Sequence, residues 1–439
     1  MISRLFGMRS ERKVLLKNTI ILYFLRFSTY FFGFITVPYQ TRVLGPTVYG
    51  KVGAAMALMV YFQLLIDFGF MLSGTQEVAI NSENKEKVSE IYTSIQISKL
   101  ALSLISFVLL SLLCIFVPLY REDYFFYLLY LMGTVITGLV PDFVFRGMQA
   151  MGAVTLRVVI SRLIFTALVF VYLKKPEDYL VVPILSAIGN LIALVWAIIY
   201  LKKSLDISFV RVTKEKVLSH TKVSSSFFLS RIATTVYTST NVLILGHIAP
   251  YSRGDYSVSN KLLTTGQSAL TPISDSIYPY MTKNKDFKLI RKILTVIMPV
   301  IILGCGIAFV FARELSMFVF GSQYGGAGDI LRGMMPAAIF TLPEYLLGFP
   351  TMTALGITKH ANYSIYISSM VHILNLIVLF FLGELNAVTL AWSTSVASGV
   401  NLLYRAYQVR KQWKKMNDKE KVLSEDSKAL LSKDEEKEI

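Results

Sequence analysis

Three cations and four carboxylates interrupt apolar runs long enough to cross a bilayer, and charge in that setting is where chemistry would occur. Arg26, Arg231 and Lys261 each belong to a polar helix face, and Asp67, Asp142, Asp275 and Glu344 lie in segments of the same kind. A charge at the bilayer centre costs at least about 2.5–3.5 kcal/mol, so it faces water or a partner. The carboxylates suit cation or proton coupling, with an ion pair or a helix cap as the structural alternative. The cations suit a role on a pathway, with snorkelling or ion pairing as theirs.

Spacing gives these residues company. In the first apolar segment Tyr23, Arg26, Tyr30 and Gly33 recur at steps of three and four, and in the seventh Arg231, Thr234, Thr238 and Asn241 do the same, which puts each set on one side of a helix. In the eighth, Ser257, Lys261, Thr264, Ser268, Thr271 and Asp275 form a stripe at i, i+4, i+7, i+11, i+14 and i+18. Helix packing through Ser and Thr is one reading. A stripe that long has nowhere to face in lipid, which favours the lining of a hydrated cavity.

The elements that must position these residues follow from composition. Of 439 residues, 54% are hydrophobic and 16% charged, against roughly 25% charged in a soluble domain. Uncharged windows of spanning length run from Leu100 to Tyr120, Tyr179 to Leu201, Ile232 to Ser252, Ile293 to Ala312, Ala361 to Gly383 and Leu385 to Tyr404. Six more windows carry one or two charges: Val14 to Val37, Thr47 to Leu72, Tyr124 to Phe145, Ala153 to Leu173, Gly254 to Met281 and Asp329 to Leu355. At about 20 residues per crossing, twelve spans account for the apolar half of the chain.

A net charge of +16 and a pI near 9.6 would suggest nucleic-acid binding in a soluble protein. Here the cations sit between apolar runs and set topology instead. With the N-terminus inside, the outer loops hold only Arg42, Arg121, Lys174, Lys175, Arg253 and Arg313, so both termini are expected in the cytoplasm. The N-terminal run is too long for a cleavable signal and ends in no small-x-small site. Lys51, Lys99 and Arg332 fall near helix ends and read as structural, while Arg162 falls within a window with no assigned role.

An internal repeat organises the windows. Arg26 and Arg231, Asp67 and Asp275, and Pro141-Asp142-Phe143 and Pro343-Glu344-Tyr345 are separated by near-equal intervals. The expected fold is therefore an all-α integral membrane protein with twelve transmembrane helices in two six-helix lobes. Six helices return the chain to the same side, so the lobes would be related by a pseudo-two-fold axis along the membrane normal, with a cavity between them. The boundaries read as a lobe over 1–201, a basic cytoplasmic linker over 202–223, a lobe over 224–407 and a tail over 408–439. The tail turns from basic to mixed charge and reads as a solvated, partly disordered end.

Other motifs carry less. Gly45 to Val52 reads G-P-T-V-Y-G-K-V, but Val52 stands where a phosphate-binding loop needs Ser or Thr, and no strand precedes it. His220, His247, His360 and His372 lack metal-ligand spacing; His372 shares a polar face with Ser364, Ser368 and Asn375, where a proton relay is the sharper alternative. Cys114 and Cys305 lie in apolar runs and suggest no disulfide framework. Pro336, Pro343 and Pro350 are expected to bend the tenth helix.

Several segments resemble the bacterial oligosaccharide-lipid flippases of the O-antigen and capsule type. They are Pro38-Tyr39-Gln40-Thr41-Arg42-Val43-Leu44-Gly45-Pro46 with Tyr49-Gly50, Asp67-Phe68-Gly69-Phe70 with Ser73-Gly74-Thr75, Asn241 to Gly246, and Tyr256-Ser257-Val258-Ser259-Asn260-Lys261. The likeness extends over essentially the whole chain; Pro141 to Gly147 departs from the pattern such proteins often show. It implies a member of the multidrug and oligosaccharidyl-lipid exporter superfamily that moves undecaprenyl-diphosphate-linked oligosaccharide across the cytoplasmic membrane, alongside the polymerase and glycosyltransferases of its pathway. No cofactor is implied, only a proton or sodium gradient.

In that setting Arg26, Arg231 and Lys261 could hold the diphosphate. The sugar would meet Tyr23, Tyr30, Thr234, Thr238, Asn241, Ser257, Thr264, Ser268 and Thr271, and Asp67 or Asp275, or else Asp142 or Glu344, would couple the ion. The rivals are a cation-coupled multidrug exporter, a peptidoglycan-precursor flippase, and, from another class, a membrane polysaccharide polymerase or ligase. Short outer loops disfavour the last, because such enzymes would be expected to carry a large catalytic outer loop.

Overall fold

A computed structural model of the chain describes the backbone of residues 2–435. It describes the side chains of Ser28 and of residues 31–415, except 119, 151, 226, 227, 229, 230, 233, 234, 236–239, 246, 247, 250, 279, 283 and 284. Tyr23, Arg26, Tyr30, Thr234 and Thr238 thus lie outside the described side chains.

The described residues form α-helices and three short 3-10 turns, with no strand. In chain order the helices are α1 (Ile2–Asp67), α2 (Phe70–Ile80), α3 (Lys85–Phe116), α4 (Pro118–Arg121), α5 (Tyr124–Leu139), α6 (Asp142–Gly147), α7 (Met151–Tyr172) and α8 (Val181–Ser204). They continue as α9 (Lys214–Ile248), α10 (Arg253–Asn284), α11 (Phe287–Val310), α12 (Ala312–Phe320), α13 (Ala327–Leu347), α14 (Phe349–Ala354), α15 (Lys359–Phe381) and α16 (Ala387–Glu435). Among the described residues seven segments are long and apolar enough to cross a membrane. On α11, Val296, Val300, Leu303, Ile307 and Val310 are each more than half exposed. A row of bare aliphatic side chains that size belongs against lipid, and the protein is a multi-pass membrane protein.

Boundaries differ from the sequence expectation where local chemistry intervenes. Gly45, at φ 72° and ψ 168°, divides α1 into two helical segments; Pro38, seven residues earlier, stays within the helix. The second segment ends at Asp67, because Phe68 and Gly69 both take positive φ. The window through Phe145 breaks at Val140-Pro141, and the one through Leu355 breaks at Gly348. Pro336 and Pro343 lie inside α13, and Pro350 opens α14. The tail expected to be partly disordered continues α16 to Glu435: it lacks Gly and Pro beyond Gly399, and its alternating charges suit a solvated helix.

The contacts divide the chain into two compact units, residues 1–259 with 313–330, and residues 260–312 with 331–439. In the first, Phe70, Val88, Tyr92, Ile95, Phe143, Phe145 and Ala197 form a core joining α2, α3, α6 and α8. The linker beyond α8 is extended and lies on α3: the Ser208 N–H donates to Ser89 Oγ at 3.3 Å, the Val210 N–H to Thr93 Oγ1 at 3.1 Å, and Phe209 meets Tyr92. In the second unit, Ile277, Met281, Ile290, Leu342 and Leu346 pack together, and Phe287 meets Trp413 edge-on at 4.7 Å.

A seam of small residues brings the second segment of α1 against the start of α10. A Cβ on Gly254 would sit 2.1 Å from the Pro46 carbonyl oxygen, one on Gly50 would sit 2.8 Å from the Gly254 nitrogen, and one on Gly53 would collide with Ser257. Backbone does not yield as a side-chain tip does, so the seam requires glycine. Gly254→Ala should cost about 2 kcal/mol or more, seen as a lowered melting temperature of the detergent-purified protein. Gly304→Ala, where a Cβ meets nothing within 4 Å, should be neutral or slightly stabilising.

Candidate functional site

The first unit holds a partly open cavity of about 480 Å³. Met56, Met59, Val60, Gln63 and Leu64 of α1 form one wall, and Tyr130, Gly133, Thr134 and Thr137 of α5 another. α7 contributes Ser161, Arg162 and Phe165, α8 contributes Pro183, Ser186, Gly189 and Asn190, and α9 contributes Arg231 and Thr235. The wall is amphipathic. Its hydroxyls are oriented by backbone: Thr134 donates to the Tyr130 carbonyl at 2.8 Å, Thr137 to Gly133 at 2.8 Å, and Ser161 to Gly189 at 3.1 Å. Each keeps lone pairs free to accept, which suits a polyhydroxylated ligand.

Charges beside the cavity are arranged in pairs. Asp67, at the end of α1, accepts a short hydrogen bond from Arg231 Nη1 and lies 4.0 Å from Lys99 Nζ. Lys99 is 2% exposed, donates to the Gly138 carbonyl at 2.8 Å, and sits over the Phe143 ring. Arg231 is 45% exposed and lines the cavity. Arg157 holds Asp142 at 2.7 Å, and Lys51 holds Asp123 at 2.7 Å.

The remaining predicted residues are dispersed. Asn241 is buried and donates to the Tyr256 hydroxyl at 2.8 Å; Ser257 is buried in the glycine seam, where it donates to the Arg253 carbonyl. Both sit in packed contacts rather than at an open wall. In the second unit Lys261 and Asp275 are exposed, Thr264 and Thr271 turn their hydroxyls to the carbonyls of Asn260 and Gln267, and Ser268 is half-buried.

Glu344 is the buried carboxylate of the second unit. Asn401 Nδ2 donates to its Oε2 at 3.1 Å, while Arg405 donates to the Glu344 carbonyl and to Ser364 Oγ. Glu344 Oε1 and Asn401 Oδ1 are buried and have no hydrogen-bond partner among the described residues. His372 meets Ser393 at 3.2 Å and His360 meets Tyr404 at 2.8 Å, while His247 lies outside the described side chains. Among the described residues no group of His, Cys, Asp and Glu could hold a metal ion.

Comparison with known proteins adds the family. Residues 15–285 match the family described as polysaccharide biosynthesis protein. The chain belongs to that family. A Shigella dysenteriae protein named as an O-antigen transporter is 28% identical over 336 residues, 74% of this chain and 83% of that protein. An Escherichia coli (strain K12) protein of the same name is 28% identical over 295 residues, covering 66% and 71%. Among solved structures, an inward-facing multidrug resistance MATE transporter superposes with TM-score 0.66 at 15% identity over 88% of this chain and 96% of that one. The lipid II flippase MurJ superposes with TM-score 0.64 at 15% identity over 90% and 87%. At such identity these two establish the fold.

Sequence reasoning singled out Arg231 and Asp67, which the structure brings together. It read Lys99 as structural near a helix end and singled out no role for Arg157 or Arg162, yet Lys99 and Arg157 each sit in a helix as a carboxylate's partner. The available signal for all three was a cation within or beside an apolar window; what was missing was which helix lies opposite. Asp67→Asn should strand Lys99 as a buried unpaired charge and lower stability by about 3 kcal/mol. Adding Lys99→Met to that variant should restore at least half of the loss in thermal melts; no recovery would dissolve the pair.

Proposed function

We propose that this polysaccharide biosynthesis protein is a transporter, not an enzyme, that flips undecaprenyl-diphosphate-linked oligosaccharide repeat units across the cytoplasmic membrane for O-antigen, capsule or exopolysaccharide assembly. The observation that carries the reading is the amphipathic, cation-bearing cavity of the first unit in a body whose outer faces are aliphatic. Sugars meet hydroxyls and amides there, the diphosphate meets guanidinium, and the polyprenyl chain stays in lipid. The relatives named as O-antigen transporters support this substrate class.

In this reading the twelve apolar windows are twelve crossings, six in each of two lobes over 1–201 and 224–407. The 202–223 linker, the 408–439 tail and both termini lie on the cytoplasmic side of the inner membrane. Repeat units come from glycosyltransferases and pass to a polymerase. Arg26, Arg231 and Lys261 remain candidates for the diphosphate, and the cavity opens alternately to the two sides, driven by a proton or sodium gradient. Among the coupling candidates Glu344 is favoured by its buried, unpartnered Oε1, since Asp67 and Asp142 are taken up by cations.

Deleting the gene should make complete repeat units accumulate on undecaprenyl diphosphate while surface glycan disappears, read by lipid extraction and glycan staining. Single exported units without polymer would identify a polymerase or ligase, and no change in either pool a drug exporter. In proteoliposomes, an imposed proton or sodium gradient should stimulate translocation by wild type, and Glu344→Gln should lose at least about tenfold of that stimulation; full retention excludes Glu344 as the coupling group.

A further inference from the structure

We infer that Arg162 is the primary anion anchor of the first unit's cavity, the residue that first takes a phosphate-type headgroup by a bidentate contact. The inference rests on the proposed function and names a residue that neither the motifs nor the family match assigns.

Arg162 lies half-way along α7, roughly 16 Å from either helix end at 1.5 Å per residue, which is beyond what a snorkelling side chain spans. It lines the cavity and is exposed to it. No hydrogen bond, ion pair or ring contact joins it to any described residue, whereas Lys99, Arg157 and Arg231 each have a carboxylate; Arg253, buried against the glycine seam, also has no ion pair among the described residues but does not line the cavity. A cation at that depth without a partner is retained against its desolvation cost by a wet, ligand-receiving cavity. Its guanidinium matches two phosphate oxygens at once.

The neighbours extend the same chemistry. Tyr130, on the same cavity, has a buried hydroxyl with no hydrogen-bond partner among the described residues, and Ser161 of α7 and Asn190 of α8 line the cavity with Arg162. Arg231 also opens on the cavity, but its guanidinium already holds Asp67. An anion reaching Arg231 must displace a carboxylate; one reaching Arg162 displaces only water. Arg162 therefore binds first and most strongly, and Arg231 is the weaker second contact.

The test is binding of undecaprenyl diphosphate to the full-length protein in detergent, with variants checked for folding by thermal melt. Arg162→Gln should weaken binding about thirtyfold or more, Arg162→Lys about fivefold through loss of the fork, and Arg231→Gln less than about fivefold. Phosphatidylglycerol at equal concentration should fail to displace the probe. Unchanged affinity in Arg162→Gln overturns the inference, as does a loss in Arg231→Gln as large as that in Arg162→Gln, or displacement by phosphatidylglycerol, which would mark a general lipid-phosphate site. If Arg162→Gln does not fold, Arg162→Lys decides, and wild-type affinity there overturns the anchor. Wild type that binds no undecaprenyl diphosphate sinks the proposed function itself, a result distinct from any difference among variants.

Discussion

A charge in hydrocarbon must be neutralised where it stands, and in this protein that constraint dictates which helices lie beside one another. Asp67 draws Lys99 from α3 and Arg231 from α9 to the end of α1. Arg157 and Asp142 fasten α7 to α6, and Lys51 reaches Asp123 at the head of α5. In the second unit Arg405 of α16 binds both Ser364 of α15 and the Glu344 carbonyl of α13. Dispersion between aliphatic side chains discriminates poorly between one helix pairing and another in lipid. The charged contacts and the glycine seam supply the register that aliphatic packing leaves open.

The same rule makes the cavity legible. Polar groups that secure helices are paired and mostly buried; those that await a ligand are exposed to an internal space and unpaired. Arg162 belongs to the second class, Lys99 and Asp142 to the first. Arg231 belongs to both, anchored at one nitrogen and open at the rest.

Much of the fold was readable from the chain because bilayer thickness imposes a length on every apolar run: each window falls on helical backbone. The breaks were harder, since Gly45, Phe68-Gly69 and Gly348 end helices through backbone dihedrals that an apolar window average does not register. The embedded charges were also readable, but not their partners. Asp67 and Lys99 meet only because α1 and α3 are neighbours, and nothing in helical periodicity encodes neighbours. Asn241 and Ser257 illustrate the reverse: their spacing on a polar face suggested a lining, while the structure uses them to hold Tyr256 and to pass a glycine.

The three-residue charge cluster also has an order of arrival. Arg231 is synthesised 164 residues after Asp67, a delay of roughly 8–33 s at about 5–20 residues per second. During that interval Asp67 and Lys99, of α1 and α3, are the only members of the cluster yet made, so the carboxylate already has a cation available to it before α9 exists. In the folded protein Asp67 keeps both cations, Arg231 in the closer place and Lys99 at 4.0 Å.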